Sequence, residues 1–371
     1  MANENPRDFY RMVGERIKAA REALDMNQKE LAEKLGFKDR QTLSVIESGA
    51  RKVSSAELVT IIKVLRKDLE YFTDPFLLVG EGVFSWRAQA QPAILDNFEE
   101  KARVWIATYR TLGTGLGEPF NPLGFRLKLS ERSSFEDAWN AAEELQRKWN
   151  LGETPANNLL GIAEDKLDIL VLYVDVERGT SISGAACHLP EFSTILINRR
   201  EPDGRKHFDF AHELFHVLTW KEMPPERLDK DNPLERKGKR VEQLADNFAA
   251  ALLMPRHVVT KRWSERGKKE IHEWINRTAT DFGVTAKALC YWLMNLNLLS
   301  IKERQSIEED RLIWNGRTPV ERNLPSIFSG KFMHRIKKAM DKGLLSERRA
   351  ASLLGLSLEE LWKVLEGYRF V

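Results

Sequence analysis

His212, Glu213 and His216 lie in the run Phe-Asp-Phe-Ala-His-Glu-Leu-Phe-His-Val-Leu and spell HExxH. On a helix, residues four apart stack on one face, so both imidazoles can reach a single ion. Glu213, one position after the first histidine, is directed beside that ion, where a water would need its proton taken. The chain holds only seven histidines, so a chance match to this pattern is improbable. A catalytic zinc takes three protein ligands and keeps one position open. Downstream, the stretch 241–255 (VEQLADNFAAALLMP) has a helical apolar pattern with Glu242 and Asp246 on one acidic face at i and i+4. Glu242 is the candidate third ligand. Asp246, one turn later, can accept the other ring N–H of a ligating histidine and so fix its tautomer and orientation.

With Arg205-Lys206-His207-Phe208-Asp209-Phe210-Ala211 leading into HExxH, and ExxAD and FAAALLMP following, the region from 155 to 300 resembles the ImmA/IrrE family of zinc peptidases. That region includes a continuous apolar strand pattern from Leu167 to Val176. It also includes a short strand, Ser193 to Asn198, expected to form a sheet edge before the active helix. The resemblance implies a zincin-like domain in which His212, His216 and Glu242 hold Zn2+, Glu213 is the general base and Asp246 supports a ligand, similar to thermolysin. Some members of the family cleave repressor proteins in stress or mobile-element responses. Phe215 stands where the family commonly has glycine, which implies a bulkier wall to the cleft. Such chemistry also needs a donor for the developing oxyanion, and His207, His257 and Tyr291 all remain candidates.

A chemistry of this kind must be aimed, and the first seventy residues carry a separate signal for that. Apolar positions recur at helical spacing from Phe9 to Arg21, a second helix is predicted from Gln28 to Leu35 with Gly36 ending it, and a third from Arg40 to Glu47. Gly49-Ala50-Arg51-Lys52 then precedes a helix from Ser55 to Leu65. Asn27-Gln28-Lys29-Glu30-Leu31-Ala32, Gly36 and Ser44-Val45-Ile46-Glu47-Ser48-Gly49 together resemble the XRE or phage-repressor type of helix-turn-helix, over residues 9 to 72. In that geometry the third helix enters the major groove of a double-stranded operator. Arg40, Gln41, Thr42 and Ser44 then meet base edges, while Gln28, Arg51 and Lys52 reach phosphates. Gln41 can pair bidentately with adenine. Residues 1–70 hold 14 Lys and Arg against 12 Asp and Glu, a weak surplus for so anionic a partner, so clustering on one face must carry the attraction. The resemblance also implies a homodimer on paired half-sites.

Between the two motifs, Asp74 to Pro92 reads as a connector and Ile94 to Thr111 as a helix. Leu112-Gly113-Thr114-Gly115-Leu116-Gly117 has no following Gly-Lys-Ser/Thr, so it reads as a loop rather than a phosphate cradle, with Pro119 and Pro122 in support. A helix from Phe135 to Trp149 follows, with Trp139, Leu145 and Trp149 as core residues. Beyond Pro255, helices around 271–275 and 286–296 flank the turn Asp281 to Thr285. Near the end, Ser346 to Ser357 partly echoes Asn27 to Phe37, and the basic run Lys331, Arg335, Lys337, Lys338 reads either as a second nucleic-acid or partner contact or as a solvated helix.

The chain has 371 residues, room for two or three domains. It has no apolar run of membrane-spanning length and no basic-then-apolar leader at its start. Cys187 and Cys290 lie far apart without a CxxC pair, as expected of core thiols in a reducing, cytoplasmic setting. The expected architecture is α+β. It comprises an all-α helix-turn-helix domain (1–72), a helical connector (73–154), a zincin-like domain with a small mixed sheet and the HExxH helix (155–300), and a small helical module (301–371). The expected function is a DNA-binding regulator whose zinc domain cuts a peptide bond in itself or in a partner regulator. The rival expectation is an antitoxin that represses its own promoter and neutralises a cognate toxin, with the zinc domain as scaffold.

Overall fold

The computed structural model describes residues 6–79, 82–88, 92–118, 120, 124–175, 182–224, 236–312 and 326–370. Along them run α1 (Pro6–Glu22), α2 (Gln28–Lys34), α3 (Arg40–Glu47), α4 (Ser55–Leu65), α5 (Leu69–Thr73), β1 (Val83–Ala88), α6 (Pro92–Gly115), α7 (Phe135–Trp149), α8 (Leu159–Leu167), β2 (Leu170–Val174), β3 (Ile182–His188) and β4 (Ser193–Asn198). The second half adds α9 (Asp203–Thr219), α10 (Arg236–Leu253), α11 (Arg256–Ser264), α12 (Ile271–Phe282), α13 (Ala286–Asn295), α14 (Ile301–Ser306), α15 (Gly330–Asp341), α16 (Glu347–Leu354) and α17 (Leu358–Gly367). The class is α+β, mostly helical, with one four-stranded mixed sheet among the described residues. Among the described residues, no helix is long and apolar enough to cross a membrane.

The chain divides into two compact units, one of residues 1–82, 99–119 and 330–371, the other of residues 83–98 and 120–329. In the first unit, α1 packs on α3, α4 and α5, and α2 on α3. Their starts are set locally: Asn27, Asp39 and Ser54 each accept a backbone N–H of the following turn, which satisfies donors the helix cannot. The core here is Ile17, Leu31, Leu43, Ile46, Ile61 and Phe72, all fully buried. α1 and α3 touch so closely that a Cβ on Gly14 would lie 2.2 Å from the Ile46 carbonyl oxygen. Beside that contact, Arg21 donates to Glu47 at 2.7 Å and 3.2 Å, with both side chains almost fully buried.

The rest of this unit is α6 from residue 99 on, with α15 to α17. The glycines from 113 to 117 do not open a loop at Leu112, because α6 runs on to Gly115. Leu112 is buried in line with Ile106 and Tyr109, so the apolar period continues, and the stop comes at Gly117, whose φ of +70° ends the helix. Pro119 and Pro122 lie outside the described residues. The basic run on α15 is largely engaged within the unit: Arg335 donates to Glu118 at 3.0 Å and lies over the Tyr109 ring, Lys338 donates to Glu118 at 2.5 Å, and Lys337 pairs with Asp341.

In the second unit the sheet order is β1-β3-β4-β2, with β2 parallel to β4 and the other two pairings antiparallel. This corrects the expected edge. Ser193–Asn198 is an interior strand, all six residues buried, because both its sides are taken by strands. The outer strand beyond β3 is β1, drawn from the segment expected to be a helical connector. The apolar run from Leu167 also starts later as a strand. Leu167 ends α8, Asp168 turns the chain at φ +52°, and β2 begins at Leu170; Val176 lies outside the described residues. α7, also within the expected connector, packs on α10. Both cysteines are buried, and burial pushes the Cys290 thiol up to about 11.

Candidate metal centre

α9 carries HExxH and packs on β3, β4 and α10. From Asp209 to Thr219 every residue is buried, so this helix is apolar on most of its surface and its polar groups must find partners inside the protein. Its first turn is seated by a close approach: a Cβ on Gly204 would lie 2.5 Å from the Val284 carbonyl carbon, in the turn between α12 and α13. His207 fixes the same contact through Nδ1, 2.8 Å from the Gly283 carbonyl oxygen, which occupies one of the three candidate oxyanion donors. His257 and Tyr291 are exposed.

α10 buries Leu244, Ala245, Phe248, Ala249, Leu252 and Leu253, and its C-terminus is pinned from two sides. Gln146 of α7 donates to the Ala251 and Leu252 carbonyls at 2.9 Å and 2.6 Å, and the Trp292 indole donates to Met254 at 2.8 Å. These satisfy terminal carbonyls that an α-helix leaves unpaired. Phe215, expected to thicken the cleft wall, is fully buried instead. Its ring meets Phe248 at 5.5 Å between centroids, so the bulk fills the α9–α10 contact.

Between the two helices the acidic and imidazole groups converge. The Nε2 atoms of His212 and His216 are 3.1 Å apart, and Glu242 brings Oε2 to 3.2 Å from the first and Oε1 to 3.2 Å from the second. The three potential ligand atoms lie within 4.8 Å of one another, with both rings almost wholly buried. On the far side of the first ring, Asp246 Oδ1 is 2.9 Å from His212 Nδ1. An ionised carboxylate only accepts, so Nδ1 donates to Asp246, which leaves Nε2 as the ring atom turned toward His216 and Glu242. Burial alone would raise the Glu242 carboxyl, but hydrogen bonds and charge from His212 and His216 outweigh it and hold the group well below the ordinary carboxylate range. Two imidazoles and an ionised carboxylate, converging on one point, are a donor set that suits a divalent ion of borderline softness such as zinc.

Glu213, 3 % exposed, points from α9 toward β3. A Cβ on Gly184 would lie 3.2 Å from Glu213 Cγ and 3.3 Å from its Oε1, so the bare backbone of β3 borders the carboxylate. Gly184 has no motif around it. Its only sequence signal is the small-residue run Ser183-Gly184-Ala185-Ala186, which lacks the branched and aromatic residues that mark strands.

In the head, Arg40, Gln41 and Ser44 are exposed on α3. Thr42 is half-buried, and its hydroxyl donates to Asp39 at 3.2 Å. Of the phosphate candidates, Gln28 donates to Glu47 at 2.8 Å, Arg51 donates to Glu57 at 2.7 Å, and Lys52 is exposed. Val45, 41 % exposed one turn after Gln41, was not a candidate because a valine on a helix reads as core.

Comparison with known families gives two matches. Residues 17–72 match the helix-turn-helix model, and residues 164–294 match the model of the IrrE N-terminal-like domain, a peptidase family. No curated protein matches the chain.

Proposed function

From a helix-turn-helix head joined to an IrrE-like peptidase-family domain, we propose a DNA-binding transcriptional regulator whose second domain is a zinc-dependent peptidase, hydrolysing a peptide bond in itself or in a partner regulator. The observation that carries the hydrolytic half is the convergence of His212, His216 and Glu242 beside a helix-borne Glu213. A zinc ion held by those three groups supplies a Lewis acid that polarises a peptide carbonyl and makes water more acidic.

The chain's own residues do the rest. His212 and His216 offer Nε2, and Asp246 keeps the His212 ring in the tautomer and orientation that make this possible. Glu213 takes the proton from the attacking water and passes it to the leaving amine. In the head, Arg40, Gln41 and Ser44 read base edges from α3, with Val45 available for a thymine methyl, and Arg51, Lys52 and Gln28 serve the phosphates of a double-stranded operator. A homodimer would set the spacing of two half-sites.

The test is Glu213→Gln in the full chain, followed by metal analysis, peptide hydrolysis and operator binding. Bound zinc and operator affinity should be retained, and hydrolysis should fall by at least a hundredfold. If regulation and toxin neutralisation both survive the substitution in full, hydrolysis is dispensable and the zinc domain is the scaffold of an antitoxin.

A further inference from the structure

The sheet has an occupant at the place where a substrate would be expected. β4 is interior, β3 lies antiparallel beside it, and β3 borders Glu213 through Gly184. The outer side of β3 is taken by β1, whose partners run from Val83 opposite His188 to Arg87 opposite Gly184 and Ala88 opposite Ile182. The two strands are far apart in sequence, with Ser85 and Ala186 separated by 101 positions. Residues 83–88 are thus an extended stretch of the chain laid antiparallel along the strand that flanks the general base.

A strand with one free side is a template for another extended chain, and such pairing draws its affinity from main-chain hydrogen bonds. Gly184, Ala185 and Ala186 add little bulk along that edge, so what lies there is selected by backbone more than by side chain. The hold of β1 is also uneven. Around Ser85 the hydroxyl joins the ladder, 3.3 Å from the Ala186 N–H and 3.4 Å from its carbonyl, whereas the register slips between Arg87 and Ala88, opposite the stretch nearest Glu213.

Resting on the peptidase reading above, we propose that β3 is the docking edge for the extended peptide on which the centre acts, and that β1 is its resident occupant. Main-chain donors and acceptors on the outer side of β3 cannot serve two strands at once. β1 must leave before a substrate segment can pair, and the centre stays closed while β1 remains.

The probe is a fluorescent peptide of residues 83–88, Val-Phe-Ser-Trp-Arg-Ala, titrated into the full-length chain carrying Glu213→Gln so that nothing is cut. Ser85→Pro removes the hydroxyl that joins the ladder and puts a ring in the strand, and Ser85→Asp puts an unpaired charge at a buried position; neither alters the sequence of β3 or α9. In a variant whose circular dichroism and zinc content equal those of the parent, the probe should bind at least tenfold more tightly than to the parent. Equal affinity in such a variant overturns the proposal. Should neither variant fold, hydrogen exchange on the parent decides: saturating probe should speed exchange of the amides of residues 83–88 while those of β3 stay protected, and unchanged exchange overturns it. Binding is read without hydrolysis. A chain that binds the probe as expected but never cuts a peptide therefore sinks the peptidase reading alone, while one that cuts yet ignores the state of β1 sinks this proposal alone.

Discussion

At the level of single side chains, the centre depends on groups that hold other groups. His212 can turn about its Cβ–Cγ bond unless Nδ1 is tied, and Asp246 ties it at 2.9 Å. Removal of such a supporting carboxylate commonly weakens metal binding 10- to 100-fold. Asp246→Ala is expected to raise the zinc dissociation constant by about that factor, measured by competition with a chromogenic chelator, while Glu242→Ala should lose the metal at concentrations where Asp246→Ala still holds it. An unchanged metal content in Glu242→Ala would mean that another carboxylate completes the set. These residues were legible before any fold was known, since HExxH fixes its own geometry on a helix and the acidic pair repeats at one turn. Gly184 was not, because its contribution is the absence of a side chain next to Glu213 and no residue type announces a neighbour from another element.

At the level of elements, the helices were the readable part and the sheet was not. α9 and α10 carry apolar residues at helical spacing, and α2 to α4 begin at side chains that cap them, so both pattern and punctuation are local. β4 is buried throughout around an apolar centre of Ile195, Leu196 and Ile197, which signals a strand but not which neighbours flank it, and its interior position depends on strands recruited from residues 83–88 and 182–188. The head shows the reverse dependence, a non-local polar contact that holds local helices together. Arg21 and Glu47 form a buried pair that Gln28 completes from α2, and hydrogen bonding to Glu47, set against burial, raises the Arg21 guanidinium further above its ordinary range. Glu47→Ala strands that guanidinium and is expected to cost about 3–5 kcal/mol, read as a lower denaturation midpoint of the head by urea titration. A midpoint within error of the parent would show the pair to be dispensable. On the exposed side of α3, Gln41→Ala should weaken operator binding by about 1–3 kcal/mol and relax preference at one base pair; a uniform loss across all sequences would assign Gln41 to the phosphates instead.

At the level of the molecule, the units do not follow the order of the chain. Residues 330–371 complete the unit begun by the head: Arg349 donates to Asp74 at 2.6 Å, Phe332 packs edge-on to Tyr109 at 5.7 Å, and Arg335 and Lys338 share Glu118. The sequence echo between Ser346 and Ser357 pointed to a helical module but not to its partners, because packing between residues so distant leaves no periodic trace. A chain ending at residue 329 is expected to lose thermal stability and operator affinity in the first unit while keeping its zinc. Identical melting of full-length and shortened chains would show that the terminal helices are passive. Translation proceeds from the other end, so the peptidase-family domain is fully synthesised before the helices that finish the first unit leave the ribosome. A nascent chain therefore spends an interval with its second unit assembled and its helix-turn-helix unit unfinished, and a chain stopped after residue 329 would hold the former without a sound copy of the latter.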